Sequence, residues 1–282
     1  MIIFKHSNDL QLHLQNIKKN KQTIGFVPTM GALHGGHLSL ISQSKNHADI
    51  TVCSIFVNPV QFNNAKDFER YPISTEHDIL LLSESNCDIL FLPGENDIYP
   101  DESSKNKHFD IGYLETTLEG KFRPGHFQGV CMVVEKLINI VDPTYLFLGR
   151  KDYQQSLVIK RLLALMKKNV IIKICPTLRE PNGLAMSSRN ARLTSEEKDK
   201  AAELHQALVN INNEITLQTF NVLKNREKAR LEKLGFKIDY LEIATTDHLQ
   251  IDKYYNDHDE FVILIAAYLQ DVRLIDNVPV TT

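Results

Sequence analysis

Pro28-Thr29-Met30-Gly31-Ala32-Leu33-His34-Gly35-Gly36-His37 sets two imidazoles three residues apart, with glycines between them, directly after a short apolar run. Thr23-Ile24-Gly25-Phe26-Val27 before it reads as a buried strand, and His37-Leu38-Ser39-Leu40-Ile41 after it reads as the start of a helix. A glycine-rich strand-to-helix step suits an anion. Unpaired N–H groups and the positive end of the helix dipole gather at the helix N-terminus, and Gly35 and Gly36 admit a phosphate close to the backbone. The imidazoles of His34 and His37 can donate to phosphate oxygens. The same pair at i, i+3 would also serve as half of a metal site, but the chain has no His-Glu-x-x-His and no cysteine pair at ligand spacing to complete one. An ordinary loop is the third reading, so the rest of the chain has to decide.

Three further clusters carry side chains of the same chemical kind. Val57-Asn58-Pro59-Val60-Gln61-Phe62 follows a continuous apolar run, Ile50–Val57; the Gln61 amide can meet both a hydroxyl and a carboxylate, or Asn58 simply caps a surface turn. Gly149-Arg150-Lys151-Asp152-Tyr153-Gln154-Gln155 is another strand–loop–helix passage, with Lys151 offering a point charge to phosphate and Asp152 able to cap the helix. Leu184-Ala185-Met186-Ser187-Ser188-Arg189-Asn190 places two hydroxyls and a guanidinium in succession, which suits an anion or an N-capped loop.

The elements that must position these clusters alternate along the first 180 residues. Leu10, Leu14 and Ile17 share a helix face, Ile79–Leu82 lies in a helix opened by Thr75 and Asp78 at capping-box spacing, and Asp88–Leu92 reads as a strand. Val130, Val133, Val134, Leu137 and Val141 form a helical stripe that ends near Asp142-Pro143; strand Tyr145–Leu148, helix Leu157–Met166 and strand Val170–Cys175 follow. Such alternation predicts an α/β fold: a Rossmann-like, doubly wound parallel sheet over residues 1–180, with ligand loops at the carboxyl ends of its strands. After Pro181, a capping box at Thr194-Ser195-Glu196-Glu197 opens a helix to about Asn212, a second helix reaches about Leu234, and Ile238–Ile243 and Phe261–Tyr268 read as strands. Residues 181–282 are therefore expected to form a smaller α+β domain.

Composition bounds the partners. The chain has 282 residues, 43% hydrophobic and 24% charged, with a formal net charge of −3. No basic tract points to nucleic acid, and no window of about eighteen apolar residues points to a membrane span. Neither does the N-terminus read as a signal peptide, so a cytoplasmic location is expected. Cys53, Cys87, Cys131 and Cys175 sit mostly inside apolar runs without Cys-x-x-Cys and read as buried reduced thiols.

Taken in order, Pro-Thr-Met-Gly-Ala-Leu-His-x-Gly-His, Val-Asn-Pro-x-Gln-Phe, Tyr71-Pro72, Arg123-Pro124-Gly125-His126-Phe127-x-Gly129-Val130, Gly-x-Lys-Asp-Tyr-Gln-Gln and Met-Ser-Ser-Arg-Asn resemble the pantothenate synthetase family, within the His-x-Gly-His adenylate-forming nucleotidyltransferases. The likeness covers nearly the whole chain. It implies ATP-dependent joining of pantoate to β-alanine through an enzyme-bound pantoyl adenylate, in a cytoplasmic homodimer that uses Mg²⁺. The resemblance puts ATP against Met30, Gly31, Ala32, Leu33, His34, Gly35, Gly36 and His37, against Gly149, Arg150, Lys151 and Asp152, near Leu178, and against Met186, Ser187, Ser188 and Arg189. His37 matches the residue assigned as proton donor; with His34 it would neutralise or protonate departing pyrophosphate, while Lys151 and Arg189 hold the phosphates. Gln61 and Gln155 match pantoate clamps, with Gln61 also near β-alanine and Asn58 ordering the loop beneath. Asp78 matches the candidate to hold Mg²⁺ through water, and the segment after Pro181 would act as a lid.

The chain departs from the family pattern at Arg150, where an acidic or neutral residue is common, and at Asn63-Asn64-Ala65-Lys66, which replaces a Gly-Pro-x-Glu-type loop. Two other readings stand beside the resemblance. A nucleotidyltransferase that stops at the nucleotide-transfer step would not need the Asn-Pro-x-Gln-Phe and Gln154-Gln155 elements, and a nucleotide-binding module without catalysis would not need His34, His37, Lys151 and Arg189 together.

Overall fold

A computed structural model describes residues 1–215, 219–251 and 260–280. Its strands are β1 (Ile2–Phe4), β2 (Ile24–Thr29), β3 (Ile50–Ile55), β4 (Ile89–Phe91), β5 (Tyr145–Gly149), β6 (Ile171–Cys175), β7 (Phe236–Thr245), β8 (Phe261–Leu269) and β9 (Val272–Pro279). Its helices are α1 (Ser7–Lys19), α2 (Gly35–His47), α3 (Ala65–Glu69), α4 (Thr75–Glu84), α5 (Glu95–Ile98), α6 (Leu118–Phe122), α7 (His126–Val141), α8 (Tyr153–Leu165), α9 (Ser195–Ala201), α10 (Glu203–Glu214) and α11 (Phe220–Lys233). They form two compact units, one of Met1–Gly149 with Val158–Pro176 and one of Arg150–Leu157 with Thr177–Thr282.

The first unit holds the expected doubly wound sheet, six parallel strands in the order β1-β4-β3-β2-β5-β6. Alternation at period two sends neighbouring residues to opposite faces. Phe26, Val52, Leu146 and Leu148 pack with Leu10 and Leu14 of α1, Val130 and Val134 of α7 and Ile159 of α8. Val27, Cys53, Leu90 and Phe147 pack with Leu40 and Ile41 of α2 and Leu82 of α4. Burial on both faces explains why these strands read as unbroken apolar runs. The sheet order reverses direction at β2, so the loops after β2, β3 and β5 emerge at the switch point, where α/β sheets place ligands. Burial pushes the thiols of Cys87 and Cys131 up, to about 11 and about 12, which leaves them protonated and unreactive.

In the second unit β7, β8 and β9 form an antiparallel sheet. Its face of Leu241, Ile243, Ile263 and Ile265 is covered by Leu204, Leu208 and Ile211 of α10 and Leu231 of α11. Three local expectations are corrected. The short edge strand β1 and the whole of β9 escaped the sequence reading; Ile2 and Ile3 are exposed, and in β9 the alternation is hidden by Asp276 and Asn277, both polar and both buried. The helix expected to run from the Thr194 cap to about Asn212 is divided at Ala202, although the Thr194/Glu197 capping box forms as read. The box expected of Thr75 and Asp78 does not form: Ser74 is the N-cap of α4, and the Asp78 carboxylate is spent elsewhere.

Candidate functional site

Asp78 is spent on the loop after β2. Its Oδ2 accepts Ala32 N–H at 2.8 Å, its Oδ1 accepts Leu33 N–H at 2.8 Å, and Ser74 Oγ donates to Oδ1 at 3.0 Å. Between strand and helix the chain turns through two left-handed residues, Gly31 (φ +80°) and Ala32 (φ +48°). The second is unfavourable for a residue with a Cβ. The two charge-assisted bonds from a carboxylate that is 1% exposed hold it there.

This anchoring delivers His34 to the N-cap of α2. His34 Nδ1 accepts Gly36 N–H at 3.1 Å, and His37 Nδ1 accepts His34 N–H at 3.3 Å, a reciprocal capping box made by two histidines whose ring centroids lie 4.0 Å apart. Because each ring accepts at Nδ1, each neutral imidazole carries its proton on Nε2. The backbone donors expected to face an anion are therefore largely consumed inside the loop: Gly31 N–H goes to Thr29 Oγ1 at 3.2 Å, and those of Ala32, Leu33, His34 and Gly36 are bonded as described. The turn therefore presents few backbone amides to a phosphate.

The loop after β3 packs beside it. Asn58 is fully buried; its Nδ2 donates to Gln61 Oε1 at 3.1 Å and Gly129 O at 3.0 Å, and its Oδ1 accepts from Val60 N at 3.3 Å and Tyr99 OH at 2.9 Å. Burial raises the Tyr99 phenol, against the lowering effect of its bond to Asn58, and so keeps it a donor. All four amide valences of Asn58 face protein, which makes it the floor of the loop. Gln61 Nε2 donates to Met30 Sδ at 2.7 Å, tying the loops after β2 and β3 together. The second Nε2 hydrogen and a second Oε1 lone pair are the capacity Gln61 has for a ligand. His126 fixes the Gln61 backbone: its Nδ1 donates to Gln61 O at 2.8 Å, which leaves Nε2 to accept from Arg123 Nη1 at 2.9 Å. Tyr99, His126 and Gly129 were not assigned roles from sequence, although the Arg-Pro-Gly-His motif that contains His126 stood out.

Gly129 has no room for a side chain. A Cβ there would stand 2.5 Å from both Gln61 Cα and Val60 O. Gly129→Ala is therefore expected to push the Gln61 turn off α7 and to lower stability by about 1–3 kcal/mol, visible as an earlier urea midpoint.

Asp78 is poorly placed to bind a metal ion directly. Three of roughly four carboxylate lone-pair directions are taken by donors, and among the described residues no group of three His, Cys, Asp or Glu side chains is arranged to hold an ion. A divalent ion here would have to be held mainly by phosphate oxygens and water.

The second unit carries the other sequence clusters. Arg150–Asp152 is a single helical turn leading into α8, and Lys151 Nζ lies 3.4 Å from Asp152 Oδ1. Asp152 closes that turn and directly precedes α8. Tyr153 OH donates to Thr246 O at 2.8 Å, and burial raises its phenol to about 12. Gln154 is buried, whereas Gln155, one position on, is half-buried. Leu178 and Met186 close a short hairpin through Met186 N–H to Leu178 O at 3.0 Å. Ser187 then caps the turn Ser188–Arg192, its Oγ accepting Arg189 N–H at 3.3 Å, while Asn190 Nδ2 donates to Ala185 O at 3.0 Å. Behind this turn Asp276 is almost wholly buried. Burial alone would raise its carboxyl, but His205 and Arg179 beside it, with Asn277 N–H, hold it below the usual range.

A family model described as pantoate-beta-alanine ligase matches residues 2–279. The pantothenate synthetase of Cytophaga hutchinsonii is 45% identical over 280 residues, 98% of this chain and 98% of its own. That of Flavobacterium psychrophilum is 41% identical over 280 residues, 99% of each. A crystal structure of pantothenate synthetase from Thermus thermophilus superposes with a TM-score of 0.90 at 34% identity over 100% of both chains. Pantoate-beta-alanine ligase from Francisella tularensis, complexed with beta-gamma ATP and beta-alanine, superposes at 0.82 with 38% identity over 99% of this chain and 97% of that one.

Proposed function

The chain belongs to the pantoate-beta-alanine ligase family and is an ATP-dependent enzyme forming pantothenate from pantoate and β-alanine; we propose that it works in two steps through a pantoyl adenylate. A carboxylate is a poor acyl donor, so one pantoate oxygen first attacks the α-phosphorus of ATP. The bond from that phosphorus to the β-phosphate bridging oxygen breaks, and pyrophosphate leaves. The β-alanine nitrogen, as the free amine, then attacks the carboxyl carbon, loses a proton, and displaces AMP. Neither step needs a covalent bond to the protein, and positioning with charge stabilisation carries both.

One observation supports this reading most strongly. Met30 Sδ, on the loop that bears the histidine pair, accepts from the Gln61 amide, so phosphate-facing donors and a hydroxyl- and carboxylate-recognising amide share one cluster at the strand ends of β2 and β3. On the proposal, the His34 and His37 Nε2–H groups meet departing pyrophosphate, and His37 is its proton donor. Lys151, Arg189, Ser187 and Ser188 hold the phosphates, while Met30–Leu33, Gly35, Gly36, Gly149, Arg150, Asp152, Leu178 and Met186 complete the ATP contacts. Gln61 and Gln155 clamp pantoate, and Asn58 acts through Gln61. Mg²⁺ accompanies the triphosphate, supplying charge neutralisation when bound. A cytoplasmic homodimer with a ligand-protected loop at Ser187–Arg189 belongs to the same proposal; no helix among the described residues is long and apolar enough to cross a membrane.

Oxygen labelling tests the mixed anhydride. Pantoate carrying ¹⁸O in its carboxylate should give AMP with one labelled phosphate oxygen, because the amine displaces the carboxyl oxygen together with phosphorus. Unlabelled AMP would exclude the adenylate. Gln61→Ala should raise the KM for pantoate by about tenfold or more and move that for ATP little, since the loss of one well-placed hydrogen-bonding group is worth about 1.4 kcal/mol; equal changes in both would remove Gln61 from the pantoate side.

A further inference from the structure

Asn277 lies on the edge strand β9, far along the chain from every cluster discussed above, and it is 3% exposed. Its Nδ2 gives one hydrogen to Arg150 O at 3.0 Å and the other to Lys151 O at 2.9 Å. Both groups facing that nitrogen are carbonyl acceptors, so the amide has one workable orientation: turned over, its oxygen would face two oxygens. The opposite end of the amide, Oδ1, is buried without a partner. A buried amide that leaves its oxygen unsatisfied costs stability, and the feature that recommends it is what the nitrogen does.

The strand behind it is braced. Successive strand residues face opposite ways, and Asp276 accepts Arg179 Nη1 at 2.6 Å and Nη2 at 3.0 Å, while His205 Nδ1 lies 3.5 Å from its Oδ2. Asp276 Oδ1 also accepts Asn277 N–H at 2.8 Å, which joins the ion pair to the residue that holds the turn. The Arg150–Asp152 turn is only three residues long. Its carbonyls are fixed from outside, on either side of the Lys151 Cα.

We propose that Asn277 is a positioning residue for Lys151: it clamps the two carbonyls flanking the Lys151 Cα and so aims the ammonium group. The inference rests on the reading of Lys151 as a phosphate-holding residue. Asn277→Asp keeps the shape and removes the donor hydrogens; Asn277→Ala removes them without adding charge and serves the same cycle if the first variant folds poorly. Thermal melts establish that the variants compared are folded. Pantoate-dependent ATP–pyrophosphate exchange is then measured for an Asn277 variant, for Lys151→Ala and for the pair together.

The Asn277 variant should lose roughly 10- to 100-fold in exchange, as expected for an ångström-scale displacement of a positioned group, with the KM for ATP raised and that for pantoate held within about twofold. In the Lys151→Ala background the same change should cost nothing further, because the group it aims is gone. An undiminished loss in that background would overturn the proposal and make Asn277 a general structural residue. Wild-type exchange in the Asn277 variant beside an impaired Lys151→Ala would overturn it too while leaving the Lys151 reading standing. Wild-type exchange in Lys151→Ala itself would remove that reading and the inference with it.

Discussion

His37→Ala should all but abolish adenylation, by about 10²–10⁴-fold in pantoate-dependent turnover, which is the range that loss of a positioned general acid produces. Pyrophosphate leaves with developing negative charge, and His37 is held with its ring nitrogen Nδ1 accepting from His34 N–H, which puts the proton of the neutral ring on Nε2. Alanine removes that proton and the cap together, so it confounds two effects. His37→Asn separates them. An asparagine Oδ1 stands near the position of a histidine Nδ1 and can accept the same N–H, so the helix start should survive while the distal donor is lost. The expected pattern is a similar fall in turnover for both variants, with the melting temperature restored toward wild type only in His37→Asn. Turnover restored along with the cap would reduce His37 to a structural part.

Asp78→Ala is expected to have the largest effect on stability. Two backbone N–H groups, of Ala32 and Leu33, lose their charge-assisted bonds to a carboxylate that is 1% exposed. At about 1.5–3 kcal/mol for each hydrogen bond to a charged group, the variant should be destabilised by roughly 3–6 kcal/mol. The left-handed Ala32 also loses its support, so the His34–His37 turn shifts and exchange activity falls with it. The contrasting account, in which Asp78 is a metal ligand, makes a different forecast: a normally folded variant whose activity returns when Mg²⁺ is raised. Denaturant titration and a Mg²⁺ series on the same preparation distinguish the two, and rescue by metal without loss of stability would overturn the anchor role.

Much of the scaffold was legible in the chain itself. Unbroken apolar runs such as Ile50–Ile55 announce strands buried on two faces, and the stripe from Val130 to Val141 announces α7, because burial imposes those periods locally. The strand-to-helix loops were legible for the same reason, since Gly, Pro and Asn punctuate them. What escaped was tertiary. Asp78 sits at capping spacing in its own helix, yet its carboxylate reaches a loop some 45 residues earlier, and no local pattern encodes that partner. The consumption of backbone donors by the histidine pair follows from ring orientation, which residue type leaves undetermined. His126 appears in a motif, but its task, fixing the Gln61 carbonyl, is defined only when α7 meets the loop after β3. The strand β9 was hidden by the residues that give it a role: buried Asp276 and Asn277 break the apolar alternation by which a strand is recognised.

The central claim, that this chain activates pantoate as an adenylate before the amine takes part, meets its most direct test in the exchange of labelled pyrophosphate into ATP with Mg²⁺ and pantoate but no β-alanine. The account predicts exchange that depends on pantoate and is lost in His37→Asn. Absence of exchange in a preparation that makes pantothenate once β-alanine is added would contradict it, since no reversible adenylate would then precede the amine.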